Sequence, residues 1–171
     1  VEGDTYTREG RFHGWGPMLL LGGGVAGKTL GIVGMGRIGR AVAQRAMGFN
    51  MTILYHEIEP MPEVEEKYNA RFAGLEELLK ESDFVTLHAP LIEETRHMIG
   101  TKELQMMKPG AYLINTARGP LVDEKALVEA LKANTIAGAG LDVYEDEPLL
   151  APGLKDLPNA VLLPHLGSAT L

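Results

Sequence analysis

The stretch Thr29-Leu-Gly-Ile-Val-Gly-Met-Gly-Arg-Ile-Gly39 decides the fold of this 171-residue chain. It joins an apolar run of strand type to a Gly-x-Gly-x-x-Gly turn and the start of a helix, the pattern that holds a dinucleotide pyrophosphate. Gly34 permits the tight turn, Gly36 lets a phosphate approach the backbone, and Gly39 lets the helix pack closely on the strand. The stretch therefore predicts a Rossmann-type unit.

The residues around this turn agree with a dinucleotide site. The backbone amides of Arg37 and Ile38 would lie at the positive end of the new helix and face an anion. A β-rich run at residues 51–57 follows and ends in an acid. Glu57 stands 18 residues after the last glycine, near the spacing of about 20 expected of the group that binds the ribose hydroxyls. A solvated carboxylate is the alternative, but the context favours the cofactor role.

Composition and charge bound the possible functions. Hydrophobic residues make up 45% and charged residues 23% of the chain, which is ordinary for one globular domain with a sizeable core. The net charge is −7 without a lysine or arginine cluster, so we expect no nucleic-acid partner. No apolar run reaches the roughly 18 residues of a membrane span, and there is no cysteine. No signal peptide is visible after Val1, so we expect a cytoplasmic protein without a membrane partner.

Apolar runs alternate with amphipathic ones, after a polar helix end at residues 1–12 and a glycine-rich connection at 13–27. Strands are predicted near residues 29–34, 51–57, 83–88, 110–115, 135–141 and 160–163. Helices are predicted near residues 37–48, 62–68, 75–81, 101–107 and 123–133. This alternation predicts an α/β fold, a doubly wound and mostly parallel sheet with helices on both faces.

Polar side chains follow the predicted strands where such sheets bind ligands, outside the carboxyl ends. These positions are Glu57, His88, 116–118, Asp142 and 164–168. Because parallel strands end at one edge, we expect Arg118, Glu147 and His165 to meet in one crevice. Taken singly, each of these is more often a surface or packing residue. Their joint order along the chain favours the functional interpretation.

Three motifs carry these residues: Asn115-Thr-Ala-Arg-Gly119, Gly140-Leu-Asp-Val-Tyr-Glu-Asp-Glu-Pro148 and Pro164-His-Leu-Gly-Ser-Ala-Thr170. With the glycine turn they resemble the D-isomer-specific 2-hydroxyacid dehydrogenases over nearly the whole chain. That family includes glyoxylate/hydroxypyruvate reductases, phosphoglycerate dehydrogenases and D-lactate dehydrogenases. The stretches Gly27-Lys-Thr-Leu-Gly-Ile-Val-Gly34 and Ile136-Ala-Gly-Ala-Gly-Leu-Asp-Val143 resemble the first of these branches.

The resemblance implies a role for each of three catalytic residues. His165 would be the general acid that protonates the substrate carbonyl oxygen, a task that suits imidazole because it exchanges protons near neutral pH. Glu147 would hydrogen-bond that imidazole, orient it and favour its protonated form. Arg118 would grip the substrate carboxylate or polarise its carbonyl with a planar, permanently charged group.

The resemblance also implies a nicotinamide site. Asp142 would accept a hydrogen bond from the nicotinamide carboxamide and help set which ring face meets the substrate. The other residues expected at this end are Thr116, Ala117, Gly167 and Ser168.

No cluster of histidine, aspartate or glutamate has ligand spacing on one element, so no metal is expected.

The cofactor predicted from Glu57 is NAD. A carboxylate accepts bonds from both ribose hydroxyls and repels the 2′-phosphate of NADP. The residues that follow, Ile58-Glu-Pro-Met61, supply no arginine or lysine to neutralise such a phosphate. Some reductases of the resembling branch carry a Ser-Arg-like pair here and tolerate NADP, so this chain departs from them.

The resemblance gives a domain division as well. Residues 1–26 correspond to the end of a crossing helix and a glycine-rich arm, and residues 27–171 to the NAD-binding domain. The substrate domain of the family is expected to be absent from this chain, so we expect NAD(H) binding with little turnover.

The resemblance also implies a homodimer, because relatives pair through their NAD-binding domains. The apolar run 17–21 and Trp15 are the candidate contacts.

Three functional interpretations stay open at this point. The first is an NAD-dependent oxidoreductase domain that reduces a small 2-oxo acid of the glyoxylate or hydroxypyruvate kind to a D-2-hydroxy acid. The second is an NAD(H)-responsive binding module like the corepressors of the family, which keep the same arginine, glutamate and histidine. The third is the phosphoglycerate dehydrogenase branch. We favour the enzyme domain.

Overall fold

A computed structural model of the chain describes residues 2–170 and contains one seven-stranded sheet. The strands are β1 (Thr29–Val33), β2 (Thr52–His56), β3 (Ala70–Phe72), β4 (Phe84–Leu87), β5 (Tyr112–Asn115), β6 (Gly138–Leu141) and β7 (Ala160–Leu162). The α-helices are α1 (Glu2–Arg8), α2 (Arg37–Ala46), α3 (Pro62–Tyr68), α4 (Leu75–Glu81), α5 (Thr101–Met106) and α6 (Glu124–Lys132).

All neighbouring strands of the sheet are parallel, in the order β3-β2-β1-β4-β5-β6-β7. The chain runs outward from β1 to β3 and then returns to place β4 on the other side of β1. The register aligns the carboxyl ends, because Val33 lies opposite both His56 and Leu87, and Leu87 opposite Asn115. The β1–β4 boundary is the topological switch point, where doubly wound sheets bind ligands.

Helices cover both faces of the sheet because successive strand residues point to opposite sides. In β1, Ile32 packs with α2 and α3, whose Ala43 and Val64 are fully buried. Val33 packs in the second cluster, to which α4, α5 and α6 contribute. Each large apolar side chain buried in these layers contributes roughly 1.5–3 kcal/mol. The predicted Rossmann-type fold is confirmed, and the sheet is entirely rather than mostly parallel.

The sequence prediction missed one strand and misplaced some helix ends. Strand β3 has three residues at the sheet edge and pairs with β2 alone. Its sequence Ala-Arg-Phe is too short to show alternation, and it begins after Asn69, whose positive φ of 49° ends α3. The first helix stops at Arg8 rather than near residue 12, and α2 gives way to a 3-10 turn, Met47–Phe49.

The segment before β1 differs from the rest of the described chain. Helix α1 buries none of its residues, and the following arm exposes Phe12, Trp15, Met18 and Leu21. Near Gly27 the backbone is hydrogen-bonded to the sheet domain, since the Gly27 N–H donates to Phe49 O at 3.0 Å. No helix within residues 2–170 is long and apolar enough to cross a membrane.

Candidate active site

The glycine turn after β1 contains two glycines that the packing of the protein itself requires. Gly34 has a φ of +96°, and a Cβ there would lie 2.5 Å from the Ala89 amide nitrogen. A Cβ on Gly39 would overlap the carbonyl oxygen of Gly34. At these two positions the backbones of β1, α2 and the segment after β4 pack so closely that any side chain would displace backbone atoms.

Gly36 has no such structural reason to be glycine. Its φ is −71°, an ordinary value for any residue, and a Cβ there would meet no atom within 4 Å. Gly36 is also the N-cap of α2, where no side chain caps the helix, and the next residues, Arg37 and Ile38, are exposed. The open space lies over an uncapped helix N-terminus, so the turn fits a phosphate group that approaches the backbone.

Glu57 lies beside the same turn. Its Oε1 accepts a hydrogen bond of 2.5 Å from the N–H of Met35, in the middle of the glycine turn. It also lines a cleft of about 490 Å³ at the β1–β4 switch point. The other lining residues are Val33, Gly34, His56, Ile58, Ala89, Pro90, Ile92, Glu94, Thr95 and Met98. The last six of these come from the irregular connection after β4, and the sequence analysis assigned none of them to the site.

Arg40, on α2, is a further residue that the sequence analysis missed. Its Nε donates to Met35 O at 3.1 Å, so Arg40 and Glu57 hold the two backbone polar groups of one residue. Its Nη2 lies 2.9 Å from Glu63 Oε1 on α3. The pKa of Glu63 is lowered, first by a hydrogen bond from its own backbone and then by Arg40. A cation therefore does stand near Glu57, supplied by α2, but Glu63 already pairs with it.

Asp142 follows β6 and is 3% exposed. Its Oδ1 accepts the N–H of Leu166 and its Oδ2 the N–H of Gly167, both at 2.7 Å. A buried carboxylate needs such donors, because an unpaired one would be costly. In this structure Asp142 therefore holds the turn after β7, the same turn that carries His165 and Ser168. Acceptance from a nicotinamide carboxamide stays a prediction.

The structure brings His165 and Glu147 into contact. Nδ1 of the imidazole lies 2.9 Å from Glu147 Oε2. The other oxygen, Oε1, accepts the N–H of Tyr144 at 3.0 Å. The pKa of Glu147 is lowered, mainly by the hydrogen bond with His165 and next by that from Tyr144. The carboxylate therefore stays ionised at neutral pH and accepts from both partners.

Arg118 lies at the same edge of the sheet, after β5, but hydrogen-bonds to neither Glu147 nor His165. Buried Asn115 holds its main chain, since Nδ2 donates to Arg118 O at 2.9 Å and Oδ1 accepts the Ala117 N–H at 3.1 Å. The exposed guanidinium bonds to Ala117 O through Nη1 at 2.6 Å. Thr116, two residues earlier, is also exposed.

A largely apolar hollow of about 350 Å³ adjoins the His165–Glu147 pair. Both residues line it, together with Tyr144, Pro148, Leu150, Leu162, Leu163 and Pro164. The imidazole of this pair can exchange a proton with a small polar ligand that enters the hollow. Within the described residues, no group of three histidine, aspartate or glutamate side chains is placed to hold a metal ion.

Comparisons with known proteins show the family of the chain. The profile of the family described as "D-isomer specific 2-hydroxyacid dehydrogenase, NAD binding domain" matches residues 1–167. A glyoxylate reductase of Thermococcus litoralis is 56% identical, over 99% of this chain and 53% of its own length. The chain thus spans about half the length of the curated relatives it matches.

Two solved structures are similar along nearly the whole chain. A glyoxylate reductase from Paecilomyes thermophila superposes with a TM-score of 0.89 at 50% identity, covering 98% of this chain and 50% of that one. A D-lactate dehydrogenase with NAD+ from Lactobacillus jensenii gives 0.81 at 36% identity, covering 96% and 53%. The family predicted from the sequence is confirmed. This chain belongs to the NAD-binding domains of the D-isomer-specific 2-hydroxyacid dehydrogenases.

Proposed function

We propose that this chain binds NAD(H) and contributes Arg118, Glu147 and His165 to the reduction of a small 2-oxo acid to a D-2-hydroxy acid. The observation that carries the proposal is the 2.9 Å contact of His165 with Glu147 at the sheet edge where the glycine turn lies open. Relatives named glyoxylate reductase support a substrate of the glyoxylate or hydroxypyruvate kind. When bound, NADH would supply the hydride to the substrate carbonyl carbon.

The cofactor would lie across the switch point from the glycine turn to the ends of β5, β6 and β7. Gly36 and the amides of Arg37 and Ile38 would receive the pyrophosphate. Glu57 would bind the ribose hydroxyls inside the 490 Å³ cleft. The residues proposed for the nicotinamide end are Thr116, Ala117, Asp142, Gly167 and Ser168.

His165 would deliver the proton that the reduction needs. Its Nδ1 bonds to Glu147, so Nε2 is the atom left to protonate the carbonyl oxygen and to take the proton back in reverse. Glu147, ionised and fastened by the Tyr144 N–H, would keep the ring in one tautomer and orientation. This division of labour between imidazole and carboxylate is common in general acid–base catalysis.

Arg118 would bind the carboxylate of the 2-oxo acid. The guanidinium keeps donors free in a planar fork, which matches the two oxygens of a carboxylate. Its main chain is held by a buried asparagine, so its starting position is defined although the side chain is exposed. A fixed cation at this point would orient the carbonyl toward His165.

The proposal is tested by calorimetric titration of the chain with NADH. We expect Gly36→Val to weaken NADH binding at least tenfold, because the added atoms occupy the open space over the turn. Its melting temperature should fall no further than that of an equivalent N-cap variant, since valine is less favourable than glycine at an N-cap. The matched control is Gly74→Val, since Gly74 is also the N-cap of a helix, has a φ of −62° and has open space around its Cβ position. Equal NADH affinity in wild type and Gly36→Val would contradict the proposed site.

A rate assay with glyoxylate or hydroxypyruvate, run on the same chain, separates binding from turnover. We propose that residues 1–171 alone reduce these acids slowly, because they match only about half the length of the glyoxylate reductases and turnover often needs domain closure that excludes water. Brisk turnover by residues 1–171 would contradict this view. NADH binding without reduction in the full-length gene product would instead favour the NAD(H)-responsive binding module.

We also propose that two copies of the chain pair through the arm before β1. Trp15 is 86% exposed and Met18 75%, an unusual degree of exposure for large apolar side chains that no internal partner covers. We expect sedimentation velocity to show a dimer, and Trp15→Ser combined with Met18→Ser to shift it to monomer. Leu149→Ser, at an exposed apolar residue far along the chain, is the control. A wild-type monomer at high concentration would exclude the arm as the contact.

Location and the remaining partners are proposed from the charge of the chain and from its proposed activity. A net charge of −7 without a basic cluster opposes binding to nucleic acid or to an acidic membrane surface. Consumption of NADH and a small organic acid suits the cytoplasm, where both are available. We therefore propose a cytoplasmic protein whose partners are its substrate, its cofactor and a second copy of itself.

A further inference from the structure

Glu124, the first residue of α6, is a buried acid to which the proposed mechanism assigns no role. It is 4% exposed. Burial raises the pKa of its carboxyl group, and hydrogen bonds from the backbone of Glu145 and Ala151 oppose that rise. In the sequence it resembles only the acids that favour a helix N-terminus. Its depth in the protein requires a stronger reason.

Capping of α6 does not supply that reason. Asp123 is the N-cap, and its Oδ1 accepts the N–H groups of Lys125 at 3.0 Å and Ala126 at 3.1 Å. The helix start is therefore satisfied by the neighbouring residue. The Glu124 carboxylate turns away from its own helix and binds another part of the chain.

The carboxyl group of Glu124 accepts two hydrogen bonds from the loop that carries Glu147. Oε1 accepts the N–H of Glu145 at 2.6 Å, and Oε2 accepts the N–H of Ala151 at 3.2 Å. The two donors stand two residues before and four residues after Glu147. The acid thus holds both sides of the segment from which Glu147 reaches His165.

The same part of the chain carries Arg118. The 3-10 turn Gly119–Leu121 connects Arg118 to α6, and a Cβ on Gly119 would overlap the carbonyl group of Tyr144. Backbone therefore packs directly on backbone where the two loops meet. Tyr144 in turn donates its N–H to Glu147 and its hydroxyl to Leu163 O at 2.7 Å, two residues before His165.

We propose that Glu124 is a positioning residue that holds the Arg118 segment in register with the Glu147–His165 pair. It touches neither substrate nor cofactor and acts through the loop of residues 144–151. A buried carboxyl group that accepts one N–H on each side of Glu147 ties this loop to the start of α6 at two points. The catalytic consequence rests on the proposed function, whereas the link between the two loops does not.

Glu124→Gln tests this link with little change of shape. A side-chain amide offers one acceptor oxygen and one donor group, so the N–H of Glu145 or of Ala151 loses its acceptor. In the chain itself, we expect the ring-nitrogen NMR resonances of His165 to move toward those of Glu147→Gln, which removes the carboxylate directly. NADH affinity should stay unchanged. In the full-length gene product, kcat should fall about tenfold to a hundredfold at constant KM for NADH.

Asp123→Ala is the matched control, because it weakens the start of the same helix but leaves the Glu124 carboxylate in place. We expect it to lower the melting temperature while the His165 resonances and kcat remain as in wild type. Glu124 would be merely structural if Glu124→Gln lowered the melting temperature and left the His165 resonances and kcat unchanged. If the full-length product reduced no 2-oxo acid, the NMR comparison would still decide whether the link exists.

Discussion

Replacing His165 with glutamine is expected to lower kcat for 2-oxo acid reduction by about 10²- to 10⁴-fold, the usual contribution of a general acid. Glutamine can still accept or donate a hydrogen bond at this position, but it cannot deliver a proton to the carbonyl oxygen. NADH binding should change little, because His165 is exposed and the glycine turn lies after a different strand. The measurement is steady-state reduction of glyoxylate and hydroxypyruvate by the full-length gene product, beside NADH titration.

His13→Gln is the control for this substitution, since His13 is exposed in the arm before β1. Glu147→Gln should give a smaller loss than His165→Gln, because the imidazole remains but its orientation is no longer held. The pKa of Glu147 is lowered in the folded chain, so its contact with His165 persists as pH falls through the usual carboxylate range and is lost only when pH falls through that lowered pKa. Retention of kcat in His165→Gln would exclude the proposed acid.

The sheet and the edge that carries the site could be predicted because both follow from local patterns. Apolar runs such as residues 29–33 and 51–56 reveal buried parallel strands, and polar residues after them must gather at one edge. The positions of His165, Glu147 and Arg118 after β7, β6 and β5 follow from that rule. Strand β3 was not predicted, because three residues are too few to show the alternation of buried and exposed side chains that marks a strand.

Contacts between distant segments could not be predicted from the sequence. Glu124 looks like a helix-start acid until the fold places it under a loop more than twenty residues away. Arg40 looks like a solvated helix residue, yet packing of α2 on α3 brings it to Glu63. In both cases the side chain meets its partner only after the helices pack, and no short-range spacing encodes that meeting.

Cofactor preference should be reversible at two adjacent residues. In Glu57→Ser combined with Ile58→Arg, we expect the ratio of NADPH to NADH affinity to rise by about 10²-fold or more, since a hydrogen bond to a charged group contributes roughly 1.5–3 kcal/mol. Serine removes the carboxylate that would repel a 2′-phosphate. Ile58 is 94% exposed, so arginine fits there without disturbing the core. Calorimetric titration of the chain with NADH and NADPH measures the ratio.

The pairing of Arg40 with Glu63 leads to a further prediction about NADPH affinity. Glu57 and Glu63 line the same open hollow of about 500 Å³, and Glu63 holds the Arg40 guanidinium at 2.9 Å. Adding Glu63→Gln to the double variant should therefore raise NADPH affinity further, because it frees a cation beside the Met35 backbone. Glu66→Gln, on the exposed side of the same helix, should add nothing. The charge argument would be wrong if the wild-type chain bound NADPH as tightly as NADH, since Glu57 would then exert no repulsion on the phosphate.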